Sequence, residues 1–150
     1  MRPAAVLAHL VVLSVGGIAS APPAQSAAPA PGVRFATLDV ILDADCALAA
    51  YQVEIWVRRG QSSIVGVEGG EPPFSEPPYY DPAALSQGRI VLASFDTRAT
   101  ISAGRHRVAS LHVREVGADT TYDIRLMAAA NADGQRAVAT ASLRAREKTP

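Results

Sequence analysis

The 150-residue chain carries fourteen basic and fourteen acidic side chains, so its formal net charge is zero. A nucleic-acid-binding face sets roughly 6–10 basic groups against phosphates, whereas the arginines here, from Arg58 and Arg59 to Arg144 and Arg146, are interleaved with acids along the chain. Neither nucleic acid nor an anionic membrane surface is therefore an expected partner. With the leader and spacer set aside, about 110 residues remain, one domain able to bury a core without staples.

In chain order, Met1-Arg2 gives a positive start, Ala4 to Ile18 an apolar run, and Ala19-Ser20-Ala21 small residues at a cleavage site. This pattern predicts a signal peptide over residues 1–21. The run is short of the roughly 20 apolar residues that cross a bilayer, and His9 and Gly16-Gly17 weaken it further. The expected destination is secreted, extracellular or periplasmic, with no membrane insertion after leader removal. Residues 22–32 are Pro/Ala-rich and uncharged, which reads as an extended, semi-rigid spacer, disordered in isolation.

Residues 33–145 read as strands, and 146–150 as a tail. Cys46 is the single cysteine, so no intramolecular disulfide forms. It is either a small buried apolar group or a thiol open to intermolecular pairing.

Period-two alternation marks the clearest strands. Tyr51, Val53, Ile55 and Val57 share one side of Leu48–Val57, against Gln52, Glu54 and Trp56 on the other. Ala109, Leu111 and Val113 oppose Val108, Ser110, His112 and Arg114. Tyr122, Ile124, Leu126 and Ala128 form the inward set of Thr120–Ala128. Val33–Leu42, Ser63–Val67, Arg89–Phe95 and Ala137–Leu143 are further β-rich segments. Turn signals separate them at Arg59-Gly60-Gln61, Ser102-Ala103-Gly104, Gly117-Ala118-Asp119 and Asn131-Ala132-Asp133-Gly134. The spacing predicts an all-β fold, a two-sheet antiparallel sandwich of seven to nine short strands. One helical turn is expected over 81–88, with Asp81 as cap, Pro82 at its first position and Gly88 ending it in the left-handed conformation.

Catalytic patterns are sparse. No Gly-x-Ser-x-Gly occurs, and the regular strand period places His106 and His112 on one face but about 20 Å apart, too far to share a metal or proton. His112 reads as a surface or sheet-packing residue. Asp43 with Asp45, and Asn131 with Asp133, could each offer oxygens to calcium, but a calcium site takes six to eight, and ordinary turn chemistry accounts for both pairs. No cofactor is expected. An enzyme would need convergent titratable groups in a pocket, so the chain reads as non-catalytic.

The least ordinary segment is Glu68–Gln87, a long proline-rich loop holding Phe74, Tyr79 and Tyr80. Two fates are open to these rings: contact with a sugar or protein partner, or folding back to plug the open end of the sandwich. Trp56, on the polar side of its strand, is a further candidate contact, unless this loop or a long side chain covers it.

The order of segments resembles the cohesin family of jelly-roll sandwiches, which are related to certain carbohydrate-binding modules. The resemblance rests on Leu48-Ala49-Ala50-Tyr51-Gln52-Val53-Glu54-Ile55, on Gly88–Phe95, on Val108-Ala109-Ser110-Leu111-His112-Val113 and on the Asn131–Gly134 turn. It spans Val33 to about Leu143. Many cohesins carry an Asp-Pro-x-x-Leu turn directly after the tyrosine-bearing strand, whereas Asp81-Pro82-Ala83-Ala84-Leu85 comes here only after the long loop. The resemblance implies recognition of a protein partner, dockerin-like or another envelope protein. The alternative is a carbohydrate-binding module that stacks polysaccharide on Tyr79, Tyr80 and Trp56.

Overall fold

A computed structural model describes residues 32–96 and 100–146. The predicted leader, residues 22–31 of the spacer and the last four residues of the tail lie outside the described residues. The chain forms β1 (Val33–Ala44), β2 (Ala50–Gly69), β3 (Arg89–Phe95), β4 (Gly104–Ala130) and β5 (Ala139–Arg146), with one 3-10 turn at Pro82–Ala84. The all-β expectation holds. The strands hydrogen-bond as one antiparallel sheet in the order β3-β2-β4-β1-β5.

All seven β-rich segments are extended, but there are five strands among the described residues because two predicted turns are bends. Arg59-Gly60-Gln61 lies inside β2 and Gly117-Ala118-Asp119 inside β4. Across the bend Arg59 pairs with Thr121 and Gln61 with Val116, so four residues of β4 pass opposite Gly60 alone. Gly60 has φ +87°, and a Cβ there would come within 2.9 Å of the Thr120 Cα. Glycine supplies both the positive φ and the close approach, which lets the two strands turn together without breaking the ladder. β5 is displaced towards the C-terminus, running Ala139–Arg146 where the expected strand was Ala137–Leu143.

Alternation decides most of the core as expected. The exception at the end of β4 is Ala128, expected inward but exposed, because Gln52 pairs with Ala128 and Val53 with Leu126, so that Met127 is an extra residue and Ala129 is buried instead. Tyr51, Val53, Ile55, Leu111 and Val113 are buried, together with Leu38, Val40 and Leu42 of β1 and Ile90 and Leu92 of β3. The two arms of the bent strands share this core: the Tyr51 hydroxyl on the first arm of β2 donates to the Val108 carbonyl on the first arm of β4 at 3.1 Å.

One departure from regular alternation has consequences for the histidines. Val40 pairs with Ala109 but Ile41 with Arg107, so Val108 is an extra, bulged residue. Both Val108 and Ala109 are thereby buried at 0% exposure. The parity beyond the bulge is shifted. His106 consequently pairs with the inward Leu42, while His112 pairs with the outward-facing Thr37. The two histidines do not share a face, contrary to the expectation from six-residue spacing.

The helical turn over 81–88 is shorter than expected. Asp81 does cap it, its carboxylate accepting from Ala83 N at 2.9 Å, but the left-handed residue is Ser86 at φ 68°. Gly88 instead places its carbonyl where Val57 N donates to it at 2.7 Å, the geometry of a residue already entering the sheet. Cys46 is half-buried against the core. At the 131–134 turn, the Asn131 side-chain oxygen accepts from Asp133 N at 3.1 Å and Gln135 N at 2.9 Å, the bonding of an ordinary Asx turn.

Candidate functional site

The long loop leaves β2 through a close approach. A Cβ on Gly70 would lie 2.2 Å from the Arg107 carbonyl oxygen, so only glycine lets the chain cross β4 here. Glu71 N then donates to that Arg107 carbonyl at 2.7 Å, and the Glu71 carboxylate bonds His106 Nδ1 at 3.0 Å and Arg107 N at 3.3 Å. The hydrogen bond from His106, joined by that backbone N–H, holds the Glu71 carboxyl below its ordinary range. A tight turn follows, with Gly70 N donating to Phe74 O at 2.6 Å.

This clamp decides the fate of the first ring. Phe74 is 2% exposed and packs edge-on against Tyr51, ring centroids 5.2 Å apart. It is a core residue.

The second part of the loop lies along the outer edge of β3. Tyr79 N donates to Ala93 O at 2.7 Å and Ala93 N to Tyr79 O at 2.9 Å, a bridge that covers the edge of β3 at this point. Period-two geometry then sorts the neighbours. Pro78 is buried and Tyr80 is half-buried against the core, while Tyr79 points outward with Ala93 and is 68% exposed. Its ring stacks on Phe95, centroids 5.9 Å apart and planes inclined by 18°. Phe95 is itself 64% exposed. A groove of about 360 Å³ runs beside the pair, lined by Pro73, Glu76, Pro77 and Asp96.

Trp56 shares this outer face. In the register of β2 with β3, Phe95 sits opposite Ala50, Ala93 opposite Gln52, Val91 opposite Glu54 and Arg89 opposite Trp56. Half-buried Trp56 therefore stands roughly 20 Å along the strand from the Tyr79–Phe95 pair, at ~3.3 Å per residue. Between them lies Glu54, 4% exposed, gripped by Arg89 and Arg125 from the two neighbouring strands. The Arg89 hydrogen bond outweighs desolvation and, with Arg125, keeps the Glu54 carboxyl below its ordinary value.

Of the four candidate contact residues, the structure brings Tyr79 and Trp56 to one face and turns Phe74 and Tyr80 to the core. The ring that sequence reasoning missed is Phe95. Its signal was legible: it has the parity of Val91 and Ala93, opposite to buried Ile90 and Leu92.

The outer surface on the β1–β5 side of the sheet carries a polar network. His112 lies between Thr37 Oγ1, 3.1 Å from Nδ1, and Glu68 Oε1, 3.1 Å from Nε2. Hydroxyl, imidazole and carboxylate are in the order that activates a nucleophile. The backbone on either side of Thr37 is engaged in the β1–β4 and β1–β5 ladders. Next to it the Ser110 hydroxyl, fully buried, donates to Asp39 Oδ1 at 2.9 Å and accepts from Arg107 and Arg146 at 3.1 and 3.0 Å. Burial raises the Asp39 carboxyl, but the bonds from Arg146 and Ser110 prevail and its value is lowered.

Comparison with family models, with curated proteins and with solved structures returned no match.

Proposed function

We propose that the chain is a non-catalytic, exported binding module that recognises a protein partner through the outer face of the β3 side, centred on Tyr79 and Phe95. The observation that carries this reading is the pair of stacked rings, 68% and 64% exposed, beside a proline-lined groove. Large aromatic groups anchored on rigid backbone are the usual energetic centres of protein interfaces. Each ring has one face covered by the other, which suits insertion between partner side chains better than a flat stacking platform. Glu76 at the groove favours a partner segment that sets a Lys or Arg beside an apolar side chain.

The finer fold in this reading is a two-layer, cohesin-like sandwich made by folding the bent sheet on itself. The core shared by both arms, with Tyr51 bonded across it to Val108, supports that view, and the segment order that resembles cohesins agrees with it. No metal or cofactor enters the reading.

Capture from an envelope extract with wild-type and Tyr79→Ala/Phe95→Ala chains tests it. A partner held by wild type should be lost from the double variant at unchanged melting temperature, each ring contributing about 2 kcal/mol. A partner retained equally by both chains overturns the proposal. The second reading, a carbohydrate-binding module, is favoured by Trp56 lying on the same face. It expects retention on a polysaccharide that Tyr79→Ala and Trp56→Ala each weaken, and it falls if no glycan retains the chain.

A further inference from the structure

The polar network on the β1–β5 side leaves one cation over. The outward residues of β5 are Thr140, Ser142, Arg144 and Arg146, all exposed. In the register with β1, Arg144 stands directly opposite Asp39, and Arg146 opposite Thr37. A directly opposed acid and base are the usual cross-strand pair. Here, however, the diagonal neighbour takes the carboxylate. Arg146 Nε donates to Asp39 Oδ2 at 3.4 Å, and its Nη2 donates both to Asp39 Oδ1 and to Ser110 Oγ, the latter at 3.0 Å.

The buried Ser110 explains this choice. Its hydroxyl already donates to Asp39 Oδ1 at 2.9 Å, so the carboxylate and the hydroxyl form a double acceptor that Arg146 spans. Arg144, across from Asp39 alone, is displaced. Among the described residues, no acid pairs with its guanidinium. The lean of Arg146 also carries its head towards the row of Arg144. Between the two lies an open cavity of about 250 Å³, lined by Asp39, Arg144, Ala145 and Arg146. Arg107, Arg144 and Arg146 here face two carboxylates, Asp39 and Glu68, and Glu68 is 3.1 Å from His112. One positive charge is therefore in excess before His112 is counted.

We infer that this cavity binds the carboxylate group of a ligand, with Arg144 as its main partner and Arg146 as a second donor. A guanidinium presents its N–H groups as a planar fork that matches the two oxygens of a carboxylate. The fork of Arg144 is wholly available, and Arg146 uses Nε and Nη2 within the chain, which leaves Nη1 on the cavity side of the pair. A single excess charge suits a singly charged group. Phosphate, close to a dianion at neutral pH, would meet Asp39 across the same cavity. A sulfate ester carries one charge but spreads it over three weakly basic oxygens that do not lie in the plane of one fork. The site is separate from the Tyr79–Phe95 face, since β3 and β5 are the two outer strands of the sheet order.

Acetate is the probe, titrated into the full chain in place of chloride at constant ionic strength. The Nε–H resonance of Arg144 should shift and saturate, with half-saturation at about 10 mM, the range expected of a charge-assisted pair open to water. Arg144→Gln, which breaks no contact within the chain, should keep the melting temperature and weaken binding at least tenfold when read on the Arg146 Nε–H signal. Arg105→Gln removes the same charge from an exposed position outside the cavity and should leave binding within twofold. The inference is overturned by shifts that stay linear to about 0.1 M acetate, or by equal losses in the two variants, which would mean general charge attraction. Tighter binding of methyl sulfate or of inorganic phosphate than of acetate would overturn it as well.

Discussion

The outer surface of the sheet is built by one alternation and reaches opposite chemical ends on its β1–β5 and β3 sides. On the β1–β5 side, Asp39, Ser110, Arg107 and Arg146 bond one another, and His112 is held between Thr37 and Glu68. On the β3 side, one buried carboxylate, Glu54, takes up two arginines, and the remaining surface is left to Tyr79, Phe95 and Trp56. A polar group that has found its partner within the chain has little left to offer a ligand. Exposed rings in register on a rigid strand edge keep their binding energy for another molecule, which is why we place the function there.

The largest effect should come from the ring that crosses from surface to core. Phe74→Ala should cost about 3–5 kcal/mol in denaturant unfolding, because it empties a packed site against Tyr51. Tyr79→Ala, five residues on in the same loop, should stay within about 0.5 kcal/mol. Equal costs would erase the distinction between a loop that plugs the core and one that presents a contact.

An intermediate effect is expected on the polar face. Ser110→Ala should destabilise by about 1–3 kcal/mol, since it leaves Asp39 and Arg107 without the hydroxyl that joins them in a site with 0% exposure at Ser110. A neutral result would show that this network does not hold β1 to β4.

The smallest effect is a pH dependence on the β3 face. Glu54 is lowered in the folded chain from an ordinary value of 4.5. Its contribution is therefore fully present above that value and is lost as pH falls through the lower, folded one. Acid titration of stability should show a decline below about pH 4.5 that Glu54→Gln flattens in part. The remaining slope should come from Glu71 and Asp39, which are lowered too.

Much of this molecule was legible in its residues. Alternation along Tyr51-Gln52-Val53-Glu54-Ile55 and Ala109-Ser110-Leu111-His112-Val113 identified strands and their buried side, because side chains in an extended segment must point alternately. Asp81-Pro82 announced the capped turn through local backbone chemistry. Gly60 and Gly117 were recognisable as points where the chain departs from a regular strand. Whether they reverse it or bend it depends on a partner strand bending alongside, and no local pattern carries that information.

The candidate site was half legible. Tyr79 and Trp56 stood out as aromatics on polar or proline-rich segments. The separation of Tyr79 from Phe74 and Tyr80 needed the bridge to Ala93 and the clamp of Glu71 on His106. The partnership with Phe95 needed the register between segments distant in the chain.

Sequence alone determined the strand-forming segments, most of their inward residues and the capped turn, since each depends on forces acting within a few bonds. Tertiary structure decided which segments fuse across a bend, which side of His106 and His112 faces the core after the Val108 bulge, and which aromatic ring remains in water. Those outcomes come from competition among distant groups for one buried volume and one set of backbone hydrogen bonds.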